Sequence, residues 1–217
     1  MAPRNETLRN LILTDAPAFH YWGGKEQTGG FAEPQFKLLT KAVEEIASSN
    51  QSIVVETGAG LSTLWLLALG CKVFSYIADN AVVEKMKVFL EQYPDLLEAW
   101  EPLVGYSEET LPINVLRGDH PEVDICLIDG GHGLQTVFVD FVYCNYCLKQ
   151  GGILIIDDLQ LGSAKLLDTL LRMGRDYEFV EIAGNKTSAF RKILSRKFLP
   201  DHGSQSELMS TLSKALG

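Results

Sequence analysis

The residues best suited to chemistry are three aspartates, Asp129, Asp157 and Asp158, and a histidine, His132, just beyond the first of them. "DGGH" and "DD" follow the apolar runs "VDICLI" and "GGILII". Carboxylates gathered at the ends of neighbouring strands repel one another. A hard divalent cation, Mg²⁺ or Ca²⁺, would relieve that repulsion through oxygen ligands. The same aspartates could instead cap the helices that follow them. A neutral imidazole beside them can accept a proton, hold a ligand or make a structural hydrogen bond. The second feature is the turn Gly58-Ala59-Gly60, followed by Ser62 and Thr63. Glycines there let a ligand approach the backbone and the start of the next helix, although a tight structural turn would also use them. The spacing G-x-G-x-S-T lacks the third glycine of the dinucleotide fingerprint, which argues against a nicotinamide enzyme.

These residues need a frame that brings them together. Strand-like runs are "SIVVE", "KVFSYI", "EPLVGY", "VDICLID", "GGILIID", "YEFVEIA" and "SAFRKIL". Helical patterns separate the first six: "STLWLLAL", "AVVEKMKVFLEQY", a short turn near "SEETLP", "LQTVFVDFVYCNYCL" and "SAKLLDTLLRMG". The alternation predicts a doubly wound α/β fold, a Rossmann-like parallel sheet with helices on both faces. Only "GNK" separates the last two runs, so they form an antiparallel hairpin. A helical stripe of Phe36, Leu39, Val43 and Ile46 begins at Pro34 and leads into the sheet. The domain is expected over residues 34–198, after an irregular arm over residues 1–33 and before a tail over 199–217 with a short helix. His20 and Trp22 lie in the arm, where they either close over the site or pack on the surface. In open α/β sheets ligands bind beyond the carboxyl ends of the strands. That rule gathers Glu56 to Gly60, Asp79, Tyr106, Ser107, Asp129 to His132, Asp157 and Asp158 on one edge.

The chain of 217 residues has a net charge of −9 at neutral pH. Such acidity disfavours nucleic acid and anionic membrane as partners. No run reaches the roughly 18 apolar residues of a membrane span, and the first residues do not read as a secretory signal. The four cysteines, Cys71, Cys126, Cys144 and Cys147, are expected as small, half-buried residues of a cytoplasmic protein; "CNYC" has redox or zinc spacing but no second pair.

With these residues in view, "VVETGAGLSTLWLL", "VGYSEETLP", "VDICLIDGGHGLQTVFVDFVYCNYCLKQGGILIIDD" and "VEIAGNKTSAFRK" resemble the class I S-adenosylmethionine-dependent methyltransferases, in their small-molecule O-methyltransferase-like branch. The resemblance runs from about Ser52 to Lys192. It implies a seven-stranded sheet whose last strand is antiparallel. It implies that Glu56, Thr57, Gly58, Gly60, Ser62 and Thr63 surround the amino-acid part of S-adenosylmethionine, with Glu56 near its ammonium group. Asp79 would take the ribose, Tyr106 and Ser107 the adenine, and Gly130, Gly131 and His132 the methyl-donor pocket. Asp129, Asp157 and Asp158 would hold Mg²⁺ against a hydroxyl of a small-molecule acceptor, with Asp129 and His132 as the catalytic pair. Two positions depart from the family pattern. Ile77 stands where an acidic residue usually grips the ribose, and Gly131 stands where some relatives carry an acidic base. A catalytically degenerate protein with a binding or regulatory role is therefore the alternative. The leading helix and the 208–216 segment could pack on their own subunit or form a homodimer.

Overall fold

A computed structural model describes residues 5–46, 51–119 and 121–195. The C-terminal tail and its expected helix lie outside the described residues. Seven strands form one sheet in the order β5-β4-β3-β6-β7-β9-β8, where β3 is Ile53–Thr57, β4 Lys72–Ile77, β5 Trp100–Val104, β6 Val123–Ile128, β7 Leu148–Ile156, β8 Tyr177–Ala183 and β9 Thr187–Lys192. Strands β3 to β7 pair in parallel, and β9 runs antiparallel to both neighbours, β7 and β8. The expected α/β architecture and the reversed last strand are both present.

The apolar runs of β6 and β7 have no polar face because both faces of the sheet are covered. Ile153 and Ile155 join one core with Val54, Val73 and Ile125, beneath helices α1 (Glu6–Thr14), α2 (Glu33–Ile46), α3 (Leu61–Ala68) and α4 (Asn80–Leu90). Leu154 and Ile156 point the other way. They join Val55, Phe74 and Cys126 beneath α6 (Ser107–Arg117), α7 (Leu134–Cys147) and α8 (Gly162–Met173). The predicted stripe of α2 buries Phe36, Leu39 and Val43, and Phe36 stacks on Trp65 of α3 at 4.5 Å.

Two expectations need correction. The N-terminal arm is not irregular: residues 6–14 form α1, capped by the Asn5 side chain, which accepts from the Leu8 amide at 2.9 Å. Leu8 and Ile12 of α1 are buried. Later in the arm, Gly23 and Gly24 turn a hairpin of β1 (His20–Trp22) and β2 (Lys25–Gln27). The "SEETLP" turn is the first half of α6, an 11-residue helix that carries Pro112 inside it. The short helix α5 (Pro94–Glu98) was not anticipated. All four cysteines are buried free thiols, and no helix among the described residues is long and apolar enough to cross a membrane.

Candidate active site

The carboxyl ends of β3, β4, β6 and β7 open into a cavity of about 570 Å³, within the range of roughly 300–1,000 Å³ usual for small-molecule sites. Of the residues singled out from sequence, Gly58, Gly60, Ser62, Asp79, Tyr106, Ser107, Asp129, Gly130, Gly131, His132 and Asp158 line it. Glu56, Thr57, Thr63 and Asp157 do not; they stand behind its wall.

The glycine turn is shaped by its own neighbours as well as for a ligand. Gly58 has φ of 86°, and a Cβ there would lie 2.4 Å from the Asp129 carbonyl oxygen. Only glycine fits both the backbone conformation and the contact. A Cβ on Gly60 would lie 3.0 Å from Nε2 of His20. The arm hairpin therefore lies over this turn, with Trp22 beside His20 at 5.4 Å, and both residues line the cavity. An ion pair between Glu26 and Lys85 on α4, at 3.0 Å, ties the hairpin down. Burial lowers the pKa of His20 despite a hydrogen bond with the Ala59 backbone.

Glu56 serves as a buried anchor. Its carboxyl accepts hydrogen bonds from Ser62 at 3.2 Å, Thr63 at 2.5 Å and Ser75 at 2.6 Å. Burial raises its pKa to about 7 against the effect of those three hydroxyls. It thereby pins the first turn of α3 to β4. Asp79 caps α4, accepting from the Ala81 amide at 2.8 Å through Oδ1. Ile77, at the very end of β4, is buried at the cavity wall, so the nearest carboxylate on this strand end is Asp79.

The opposite end of the cavity is charged. Asp129, Asp157 and Asp158 come together with one oxygen of each within 4.8 Å of the others. His132 Nε2 lies 3.0 Å from Asp158 Oδ2. Asp158 has φ of 59°, a left-handed conformation that aspartate tolerates better than most residues. Burial raises the pKa of Asp129 well above the ordinary carboxylate range, and the charges of Asp157 and Asp158 add to the shift. Burial would raise that of Asp158 too, but hydrogen bonds from Gln160 and Lys186 bring it below its usual value.

Sequence reasoning missed Lys186. Its ammonium lies 2.8 Å from Asp157 Oδ2 and 3.1 Å from Asp158 Oδ1, and it donates to the Gly30 carbonyl at 3.1 Å. Thr187 Oγ1 donates to the other oxygen of Asp157. The repulsion that a divalent ion was expected to relieve is thus met by a lysine of the same chain. The signal was present in the topology. Strand β8 runs parallel to β7, so the turn that ends it falls at the carboxyl edge, and Lys186 sits in that turn. Asp140 on α7 was also missed. It is wholly buried, and neither carboxyl oxygen has a well-formed hydrogen bond among the described residues. Burial raises its pKa to about 6, while the nearby Ser107 and Thr57 hydroxyls oppose the shift. It lies under the cavity floor, beside two of the residues expected to hold the cofactor.

Comparison with known proteins places this geometry. Residues 55–159 match the family described as a methyltransferase domain. The O-methyltransferase TomG from Streptomyces achromogenes, solved with S-adenosylmethionine, is similar with a TM-score of 0.63 at 15% identity, covering 88% of each chain. An O-methyltransferase from Bacillus cereus, solved with S-adenosylhomocysteine, has a TM-score of 0.62 at 15% identity, covering 88% of this chain and 93% of the other. A methyltransferase from Geobacter sulfurreducens has a TM-score of 0.59 at 19% identity, covering 76% and 81%. No curated protein matches the sequence. Residues 55–159 thus match the methyltransferase-domain family, and the chain has the fold of the O-methyltransferases it resembles.

Proposed function

We propose that this methyltransferase-like chain transfers a methyl group from S-adenosylmethionine to a hydroxyl of a small molecule. The observation that carries the reading is one continuous cavity with a glycine turn at one end and the His132–Asp158 pair at the other. Bound S-adenosylmethionine supplies a methyl on a sulfonium; the acceptor oxygen bonds to that carbon as the C–S bond breaks, leaving S-adenosylhomocysteine. The chain supplies the rest. The backbone at Gly58 to Ser62 and the start of α3 form the cradle for the amino-acid part. Glu56 acts from behind it by fixing Ser62 and Thr63 rather than by touching the cofactor. Asp79 keeps Oδ2 for a ribose hydroxyl, since only Oδ1 is used by the helix cap. Tyr106 and Ser107 border the adenine.

His132 is the base. With Nε2 held 3.0 Å from Asp158 Oδ2, the carboxylate favours the proton on Nε2, which leaves Nδ1 as the basic nitrogen of a neutral imidazole. It takes the hydroxyl proton as the oxygen attacks, and Asp158 stabilises the imidazolium that results. Asp129 holds a proton more tightly than an ordinary carboxyl and borders the same space, so it can donate a hydrogen bond to the acceptor. General-base catalysis of this kind is worth about 10²–10⁴-fold. The net charge of −9 and the buried thiols fit a small-molecule acceptor in a reducing, cytoplasmic setting.

Methyl transfer from labelled S-adenosylmethionine to a panel of hydroxylated acceptors tests the reading. Turnover should appear with at least one acceptor, and His132→Gln should lower kcat by about a hundredfold or more. Turnover indifferent to that substitution would remove His132 from the mechanism. A second reading rests on Ile77: a chain without an acid at that strand end could bind the cofactor and not turn it over. Cofactor binding without transfer to any acceptor would favour it.

A further inference from the structure

We propose that Lys186 is the resident cation of the acid cluster: it fixes Asp157 and Asp158, and through Asp158 it orients His132, in the place where a divalent metal would otherwise bind. The inference rests on the methyl-transfer reading for the role of His132, and on geometry alone for the exclusion of metal.

An ammonium group has three N–H donors, and three acceptors surround this one: Asp157 Oδ2, Asp158 Oδ1 and the Gly30 carbonyl, at 2.8, 3.1 and 3.1 Å. Its donors are therefore all used within the protein. The backbone at Gly30 approaches the ammonium closely: a Cβ there would lie 2.7 Å from Nζ, so the lysine tip would have to shift to admit one. The Phe31 ring lies 5.9 Å away. The Leu159 amide donates to the Lys186 carbonyl at 2.8 Å, locking the hairpin turn to the loop after β7. Asp157 is almost wholly buried, and Thr187 takes its remaining oxygen. A divalent ion on these carboxylates would sit against a fixed positive charge and would have to replace donors already in place.

Lys186 is accordingly a positioning residue. It joins the arm at Gly30, the β8–β9 turn and the β7 end into one charged unit, and it touches no reacting atom. Removing it leaves a buried carboxylate without its cation, which is strongly destabilising unless another cation enters. The vacated charge is what a metal could then fill.

Manganese(II), followed by its electron paramagnetic resonance signal, reads this directly. The wild-type protein should bind no Mn²⁺ at the cluster, so that Asp157→Asn leaves the titration unchanged. Lys186→Met should bind Mn²⁺ at least about tenfold more tightly than wild type, and Mn²⁺ should raise its thermal midpoint but not that of wild type. Both effects should vanish in the Lys186→Met, Asp157→Asn double variant. Mn²⁺ binding by wild type that Asp157→Asn abolishes would overturn the proposal, as would equal binding by wild type and Lys186→Met. If Lys186→Met does not fold, Lys186→Gln substitutes for it, and the wild-type comparison with Asp157→Asn decides without either. A parallel titration with S-adenosylhomocysteine separates this proposal from the methyl-transfer reading: loss of one does not entail loss of the other.

Discussion

At the β3–β4 end of the cavity the wall is mostly backbone; at the β6–β7 end it is mostly charge. Gly58 and Gly60 shape the first, where the nearest acids are occupied in local structure, Glu56 by three hydroxyls and Asp79 by a helix cap. The second is a network of Asp129, Asp157, Asp158, His132 and Lys186 drawn from three separate stretches of the chain. A backbone-built end recognises shape and is intolerant of added atoms. A charge-built end depends on every partner being present, because an unpaired buried charge is expensive. One end suits holding a cofactor, the other moving a proton.

The largest effect expected at the backbone end comes from Gly58→Ala. The added Cβ meets the Asp129 carbonyl and forces a positive φ on alanine. A loss of at least about 2 kcal/mol of stability should follow, together with at least about tenfold weaker binding of S-adenosylhomocysteine. Thermal unfolding and calorimetry read the two together. An unchanged variant would mean that this end is not held by backbone shape.

A smaller effect sharpens the contrast from beneath the floor. Asp140 should take up a proton on folding, because its pKa rises from an unfolded value near that of an ordinary carboxyl to about 6. The folded state then binds more protons than the unfolded state between those two values. Stability should be greatest below them and fall as pH rises through about 6. Asp140→Asn should remove its share of that decline, leaving the share due to Glu56 and Asp129, whose pKa values are also raised; the pH profile becomes shallower and the variant more stable than wild type in mildly alkaline buffer by up to about 3 kcal/mol. Denaturant unfolding across pH checks it; a parallel decline in both proteins would show that Asp140 stays charged in the fold.

The difference between the two ends also explains what could be read from sequence. The glycine turn, the strand-end aspartates and the order of strands were legible because each is a local pattern: alternation, apolar runs, or glycines between a strand and a helix. Even the reversed last strand followed from the short "GNK" turn. Lys186 belonged to that same turn, yet its role depended on β8 lying parallel to β7 and on Gly30 arriving from the arm. Those are long-range facts that no local pattern carries. Asp140 was hidden for the opposite reason. It sits on a helix face of mixed composition, where a single acid reads as solvated until its burial is seen. The arm read as irregular because its nine-residue helix is short and its hairpin strands have only three residues each.

The central claim is that the cavity holds S-adenosylmethionine, with Asp79 serving in place of the acid that Ile77 replaces. Calorimetric titration of the wild-type protein with S-adenosylmethionine and S-adenosylhomocysteine tests it most directly, with Asp79→Ala as the comparison. Saturable binding of both compounds, weakened by about tenfold or more in Asp79→Ala as expected for loss of a charge-assisted hydrogen bond, is the predicted result. A folded wild-type protein that binds neither compound would contradict the account.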